Sequence, residues 1–129
     1  MNDSAKILIV DDQVDTLALL ELTLQTAGYA VQTSTNAENA LQVLHQETFD
    51  VVLLDVMMPG MNGFEMARTL SAQKVDYPPI IFLSARAGVE DRKASDEIGA
   101  VAYLTKPATR GQLLDAIKMA LDSKEPSGA

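Results

Sequence analysis

Three aspartates, a serine and a lysine stand directly after short apolar runs, and their types together describe one chemistry. Asp11 and Asp12 follow Ile7-Leu-Ile-Val10, Asp55 follows Val51-Val-Leu-Leu54, and Ser84 follows Ile80-Ile-Phe-Leu83. Thr105-Lys106-Pro107 follows Val101-Ala-Tyr-Leu104. An aspartate placed after four apolar residues is costly to bury without a partner, so Asp55 in particular requires one. Three carboxylates in one crevice repel one another and titrate as a coupled set, and a divalent cation relieves that repulsion. A few hard oxygen ligands, with room left for water and phosphate, suit Mg2+ better than zinc. The Lys106 ammonium and the Ser84 hydroxyl suit two oxygens of a phosphoryl group. Carboxylate nucleophile, cation, ammonium and hydroxyl together make a phosphoryl-transfer site, in which positioning and charge neutralisation carry most of the catalysis. An ionised carboxylate needs no general base.

Taken singly, each group has a plainer use. An acidic pair can cap the next helix, a serine can satisfy the backbone at a strand end, and Lys106 can be a solvated surface charge. Their order along the chain, each at the end of an apolar run, carries the signal.

For these groups to meet, the runs must be strands whose ends share one edge. Three of the runs lack apolar/polar alternation, which predicts strands covered on both faces. Ala30-Val31 is short and mixed, suits an edge, and contributes only Thr33 near the strand ends. Helix signals fill the intervals. Thr35 with Glu38, Asn62 with Glu65, and Thr109 with Gln112 have the spacing of a capping box or a close variant. Ala37, Ala40, Leu41 and Leu44 form one apolar stripe, and Leu113, Leu114, Ile117 and Leu121 another. Gly28 and Gly99 stand where helices should stop. A strand–helix unit repeated five times predicts an α/β fold, a parallel sheet wound on both faces. In such a sheet the strand ends lie on one edge, and ligands bind where the strand order reverses.

One helix is expected to be weak. Between Gly88 and Gly99 the apolar residues are Val89, Ala94 and Ile98, and most of the rest is charged, including Glu90, Asp91, Arg92, Lys93, Asp96 and Glu97. An element with so little to bury is either one recruited for switching or an ordinary solvated helix.

The 129 residues, 47% of them apolar, fit a single domain able to bury its own core. No cysteine is available for a disulfide or a thiolate metal site. A net charge of -8 opposes a phosphate backbone, so direct nucleic-acid binding is not expected. Met1 to Lys6 lacks a basic segment of the secretory kind, and no apolar stretch is long enough to span a bilayer. A cytoplasmic protein without membrane contact is expected. Met1 to Ala5 and Lys124 to Ala129 read as loose ends. His45 reads as a helical surface residue, and Met57, Met58, Met61 and Met66 as gap-filling or loop contacts.

The motifs resemble those of bacterial response regulator receiver domains. Ile7-Leu-Ile-Val-Asp-Asp12 is similar to the family's first strand and acidic pair, and Val51-Val-Leu-Leu-Asp-Val-Met-Met-Pro-Gly-Met-Asn-Gly63 to its phosphorylation segment. Leu83-Ser-Ala85 and Tyr103-Leu-Thr-Lys-Pro107 match the remaining motifs. The resemblance implies a receiver domain over residues 5–122, with 123–129 a tail or the start of a linker. It implies a five-stranded, flavodoxin-like sheet of order 2-1-3-4-5 with five helices, and a cis bond between Lys106 and Pro107. Asp55 would accept phosphate from a histidine kinase, a phosphotransfer protein or a small donor such as acetyl phosphate. Asp12, Asp55 and the Met57 carbonyl would ligate Mg2+, with Asp11 acting through water. Lys106 would pair with the phosphoryl group, and Ser84 and Tyr103 would be the switch pair. Their movement would alter the face made by the fourth helix, fifth strand and fifth helix, and so control a downstream protein, an attached output domain or a homodimer.

The chain departs from the family at Ala108, where Phe is frequent, and at Val101-Ala102, where acidic residues are frequent. Both positions adjoin the output face rather than the phosphorylation site. Met57 and Arg86 flank the expected water path. A Mg2+-dependent phosphatase of the Asp-x-Asp kind is disfavoured, because Gln13 stands where its acid/base partner would be. A binding module for nucleotide or flavin would want a Gly-rich phosphate loop, and none is present.

Overall fold

The computed structural model describes residues 4–73, 76–86 and 88–124. Strands and helices alternate as expected: β1 (Lys6–Val10), α1 (Val14–Thr26), β2 (Ala30–Ser34), α2 (Ala37–Gln46), β3 (Val51–Leu54), α3 (Gly63–Gln73), β4 (Ile80–Ser84), α4 (Val89–Ile98), β5 (Ala102–Thr105) and α5 (Arg110–Lys124). All strands are parallel, in one sheet of order β2-β1-β3-β4-β5.

The runs without alternation belong to the inner strands, which are buried nearly throughout, whereas β2 and β5 are the half-buried edges. Each inner strand feeds two cores because its side chains alternate between the faces. Ile7, Ile9, Val51, Leu53, Ile81 and Leu83 pack with Leu17, Leu20 and Leu24 of α1 and Leu113 and Ile117 of α5. Leu8, Val10, Val52, Leu54, Ile80 and Phe82 pack with Ala40 and Leu44 of α2 and Phe64, Met66 and Leu70 of α3. At roughly 1.5–3 kcal/mol for each large apolar side chain, this two-sided burial is what holds the strand ends in place.

Two of the three expected capping boxes form. Asn62 and Glu65 exchange reciprocal bonds of 2.8 and 2.9 Å, as do Thr109 and Gln112 at 2.9 and 3.1 Å. The third does not: Asn36, one residue after Thr35, caps α2 by accepting from the Asn39 N–H at 2.7 Å. Gly99 ends α4 with a positive φ of 90°, its N–H reaching the Ser95 and Asp96 carbonyls. β2 runs five residues, longer than its short apolar pair suggested, because Gln32 and Thr33 continue the ladder with Leu8 and Ile9. Of the expected loose ends, residues 1–3 and 125–129 lie outside the described residues, whereas Ser4 and Ala5 lead into β1 without regular structure and Lys124 is the last residue of α5.

The helix α4 departs from its expected pattern. Val89 is 83% exposed, Ala94 and Ile98 are only partly buried, and the buried residues are Asp91 and Ser95. Asp91 is therefore not part of a solvated charged face. It is paired, as described below.

One glycine fixes how the chain leaves β3. Gly63 opens α3 with its N–H on the Val56 carbonyl at 2.9 Å. A Cβ there would lie 2.2 Å from the Asp55 carbonyl oxygen and 2.9 Å from the Val56 Cα, and backbone cannot swing aside as a side chain can. Gly63→Ala is expected to cost roughly 2–4 kcal/mol, more than the roughly 1–2 kcal/mol expected for Gly99→Ala. At Gly99 an added Cβ is strained by φ but meets no atom within 4 Å. Denaturant midpoints of the two variants check the order.

Candidate functional site

The strand order reverses between β1 and β3, and there Asp11 and Asp55 extend the sheet's hydrogen bonding by one step. Asp11 donates its N–H to the Ser34 carbonyl at 3.1 Å and Asp55 to the Val10 carbonyl at 2.9 Å. Both side chains are buried, Asp11 at 1% and Asp55 at 5% exposure, while Asp12 is half-buried. Carboxylate oxygens of all three lie within 4.8 Å of one another. Each buried carboxylate spends one oxygen locally: Asp11 Oδ1 accepts from the Gln13 N–H at 2.9 Å, and Asp55 Oδ1 from the Met57 N–H at 3.2 Å. The other oxygens meet Lys106, whose Nζ donates to Asp11 Oδ2 at 2.7 Å and to Asp55 Oδ2 at 3.3 Å. Lys106 is itself anchored by its N–H on the Ser84 carbonyl at 2.8 Å, and its bond to Pro107 is cis.

Burial, reinforced by the Asp11 charge, raises the Asp55 carboxyl above its ordinary value against the opposing pull of Lys106. Burial alone would lower the Lys106 ammonium, but the Asp11 hydrogen bond and both carboxylate charges outweigh it, and the net shift is upward. One ammonium against three carboxylates leaves negative charge in excess. The donors are all oxygen, and Asp12 and Asp55 line a surface cavity with Gln13, Met57, Ala85 and Lys106. That set fits a hard divalent cation, with Asp11, Asp12 and Asp55 as the residues that could hold it.

The site residues expected from sequence thus divide. Asp11, Asp12, Asp55, Met57 and Lys106 surround one crevice, with Met57 half exposed at its mouth. Ser84 is the last residue of β4 rather than the first beyond it; it is fully buried, and its hydroxyl accepts from the Arg86 N–H at 3.2 Å. Tyr103 donates its hydroxyl to the Arg86 carbonyl at 2.5 Å, and its ring centroid lies 6.2 Å from that of Phe82. Burial raises its phenol above the ordinary value. Sequence reading missed Asp91, whose carboxylate binds the Arg86 guanidinium at 2.7 Å. The one available signal was the spacing from Gly88 to Asp91, that of a helix cap. His45 is on the surface, 3.0 Å from Gln73.

A carboxyl raised on folding adds stability below its unfolded value and loses that contribution as pH rises through the folded value. At neutral pH the ionised Asp55 is therefore a cost. Without divalent cations, Asp55→Asn is expected to raise Tm by a few degrees at pH 7, and the gain should vanish as pH falls through the carboxylate range. Thermal unfolding of both proteins across pH, with chelator, measures this.

Residues 7–118 match the family model described as the response regulator receiver domain. The probable transcriptional regulator ycf27 of Guillardia theta is 40% identical over 116 residues, covering 90% of this chain and 45% of that protein. The sensory/regulatory protein RpfC of Xanthomonas campestris pv. campestris is 35% identical over 117 residues, covering 88% of this chain and 16% of that protein. The chain therefore spans less than half the length of these curated relatives. The solved chemotaxis protein CheY4 of Vibrio cholerae has a TM-score of 0.85 and 32% identity, covering 92% of this chain and 100% of that one. Among the described residues no helix is long and apolar enough to cross a membrane. With its strand order, its acidic cluster at the strand-order reversal and a family match over nearly its whole length, the chain belongs to the receiver domains of two-component response regulators.

Proposed function

We propose that Asp55 is the phospho-acceptor of a Mg2+-dependent switch, and that its phosphorylation alters the face formed by α4, β5 and α5. The observation that carries this reading is the Lys106 ammonium set between the Asp11 and Asp55 carboxylates, with all three acidic side chains in reach of one ion. The donor is the phosphohistidine of a histidine kinase or phosphotransfer protein, or a small acyl phosphate. The Asp55 carboxylate attacks phosphorus, the new oxygen–phosphorus bond forms as the phosphorus–nitrogen bond breaks, and the electron pair returns to the imidazole, which takes a proton from solvent. Mg2+ held by Asp12, Asp55 and the Met57 carbonyl, and by Asp11 through water, would neutralise charge on the phosphoryl oxygens. Lys106 keeps its bond to Asp11 and exchanges Asp55 for a phosphoryl oxygen, and Ser84 turns from the Arg86 N–H to another.

Moving such a switch almost completely takes a preference of roughly 5 kcal/mol, which a dianion held by a cation, an ammonium and a hydroxyl can supply in large part. The domain spans residues 5–122; the last helix, α5, carries the chain two residues further, to Lys124, and a tail or linker follows it. It works in the cytoplasm and acts on a partner protein, an attached output domain or a second copy on phosphorylation. Its net charge of -8 argues against direct nucleic-acid contact. The names of the relatives, one a transcriptional regulator and one a sensory protein, fit either a regulator or a sensor as the setting.

Incubation with acetyl phosphate and Mg2+ should add one phosphoryl group by intact mass, absent in Asp55→Asn and absent with chelator. Lys106→Ala should break the link between adduct and Tyr103 environment. Labelling of Asp55→Asn at the wild-type rate refutes the assignment.

A further inference from the structure

Arg86 is a junction. Its N–H donates to the Ser84 hydroxyl, its carbonyl accepts from the Tyr103 hydroxyl, and its guanidinium meets the Asp91 carboxylate. The last contact is two-pronged, with Nη2 at 2.7 Å from Oδ1 and Nε at 3.4 Å from Oδ2. Asp91 Oδ2 also accepts from the Gly88 N–H at 3.2 Å. Asp91 is 7% exposed, on a helix with few apolar contacts of its own. A buried carboxylate is strongly destabilised when its cationic partner is removed, so this pair has a definite geometry to keep. The Arg86 side chain, by contrast, is 55% exposed and would otherwise be free to wander in solvent. Arg92, the next residue of α4, places its guanidinium carbon 5.3 Å from the Tyr103 ring centroid and Nη2 3.4 Å from Thr105 Oγ1. The first turn of α4 thus touches the aromatic ring directly through Arg92 and indirectly through Arg86.

We propose that Asp91 is a positioning residue of the switch. By fixing Arg86 through the ion pair, it keeps the Arg86 carbonyl where the Tyr103 hydroxyl binds it, so the ring's setting against Phe82 depends on a charge at the start of α4. The role given to Asp91 rests on the reading of Ser84 and Tyr103 as the switch pair, but the positioning itself operates without a phosphoryl group. It differs from a plain helix cap in what it predicts. Asn at position 91 keeps an acceptor for the Gly88 N–H and loses the charge that holds Arg86.

The test uses the full chain labelled with 3-fluorotyrosine. It has three tyrosines, Tyr29, Tyr77 and Tyr103, and Tyr103→Phe identifies the third signal. In Asp91→Asn and in Arg86→Gln, the Tyr103 fluorine signal should move toward that of free fluorotyrosine, with the released-ring population rising about tenfold, the range one charge-assisted hydrogen bond controls. The Tyr29 and Tyr77 signals should stay in place. The double variant should shift no further than either single one, because both remove the same contact. A Tyr103 signal unchanged in both single variants overturns the proposal and leaves Asp91 a cap. A shift in Asp91→Asn alone also overturns it, because the effect would then bypass Arg86. Should Arg86→Gln, which leaves the buried Asp91 carboxylate unpaired, fail to fold, Asp91→Asn decides, since it leaves only the solvent-exposed Arg86 side chain without its partner. These signals are read without phosphorylation, so failure of Asp55 to accept a phosphoryl group would sink the proposed function and leave this result standing.

Discussion

Repulsion between carboxylates held on adjacent strands is the constraint around which the rest of the molecule is arranged. Asp11 and Asp55 cannot separate, because each is tied by its own N–H to the neighbouring strand's backbone. They cannot escape into solvent, because the residues before them are anchored in both cores. Lys106 relieves part of the strain from across the crevice, and its reach depends on β5 pairing with β4. The apolar packing of β1 and β3 thus holds in place a charge arrangement that would fly apart on a looser scaffold. A site left negative in this way is preorganised for cations and for groups that bring cations with them.

The two faces of the sheet are not equivalent. On one, α1 and α5 press a row of large apolar side chains onto β1, β3 and β4. On the other, α2 and α3 do the same, but α4 buries Asp91 and Ser95 and leaves Ala94 and Ile98 at the margin. Hydrogen bonds and an ion pair take the place of packing there. Directional contacts of this kind have alternatives at modest free-energy cost, whereas a filled core has none. The proposed switch residues cluster on the side with the directional contacts.

Much of this was legible in the sequence. The inner strands could be read from runs that fail to alternate, and the acidic cluster from the placing of Asp11, Asp12 and Asp55 after them. The capping boxes at Asn62 and Thr109 were visible as spacing. Thr35 misled because Asn36, an equally good cap, sits one residue nearer the helix. Asp91 was hidden for a deeper reason. Periodicity assigns charged residues to the solvent face, and nothing in the spacing of Arg86 and Asp91 shows that the two side chains meet. Strand order and the cis bond before Pro107 followed from family resemblance, since neither is written in local pattern.

The hydrogen bond from the Gly63 N–H to the Val56 carbonyl makes the segment between them a closed ring. That bond is the clasp, and a Cβ added at Gly63 would strike the Asp55 carbonyl oxygen beside it. A ring of fixed circumference does not tolerate an added or missing residue as an open surface loop does. Any change in its length would be absorbed at the clasp, and the clasp is on Val56, the residue next to Asp55. The loop after β3 is therefore a ruler for Asp55, because its length sets where the chain may close beside that residue.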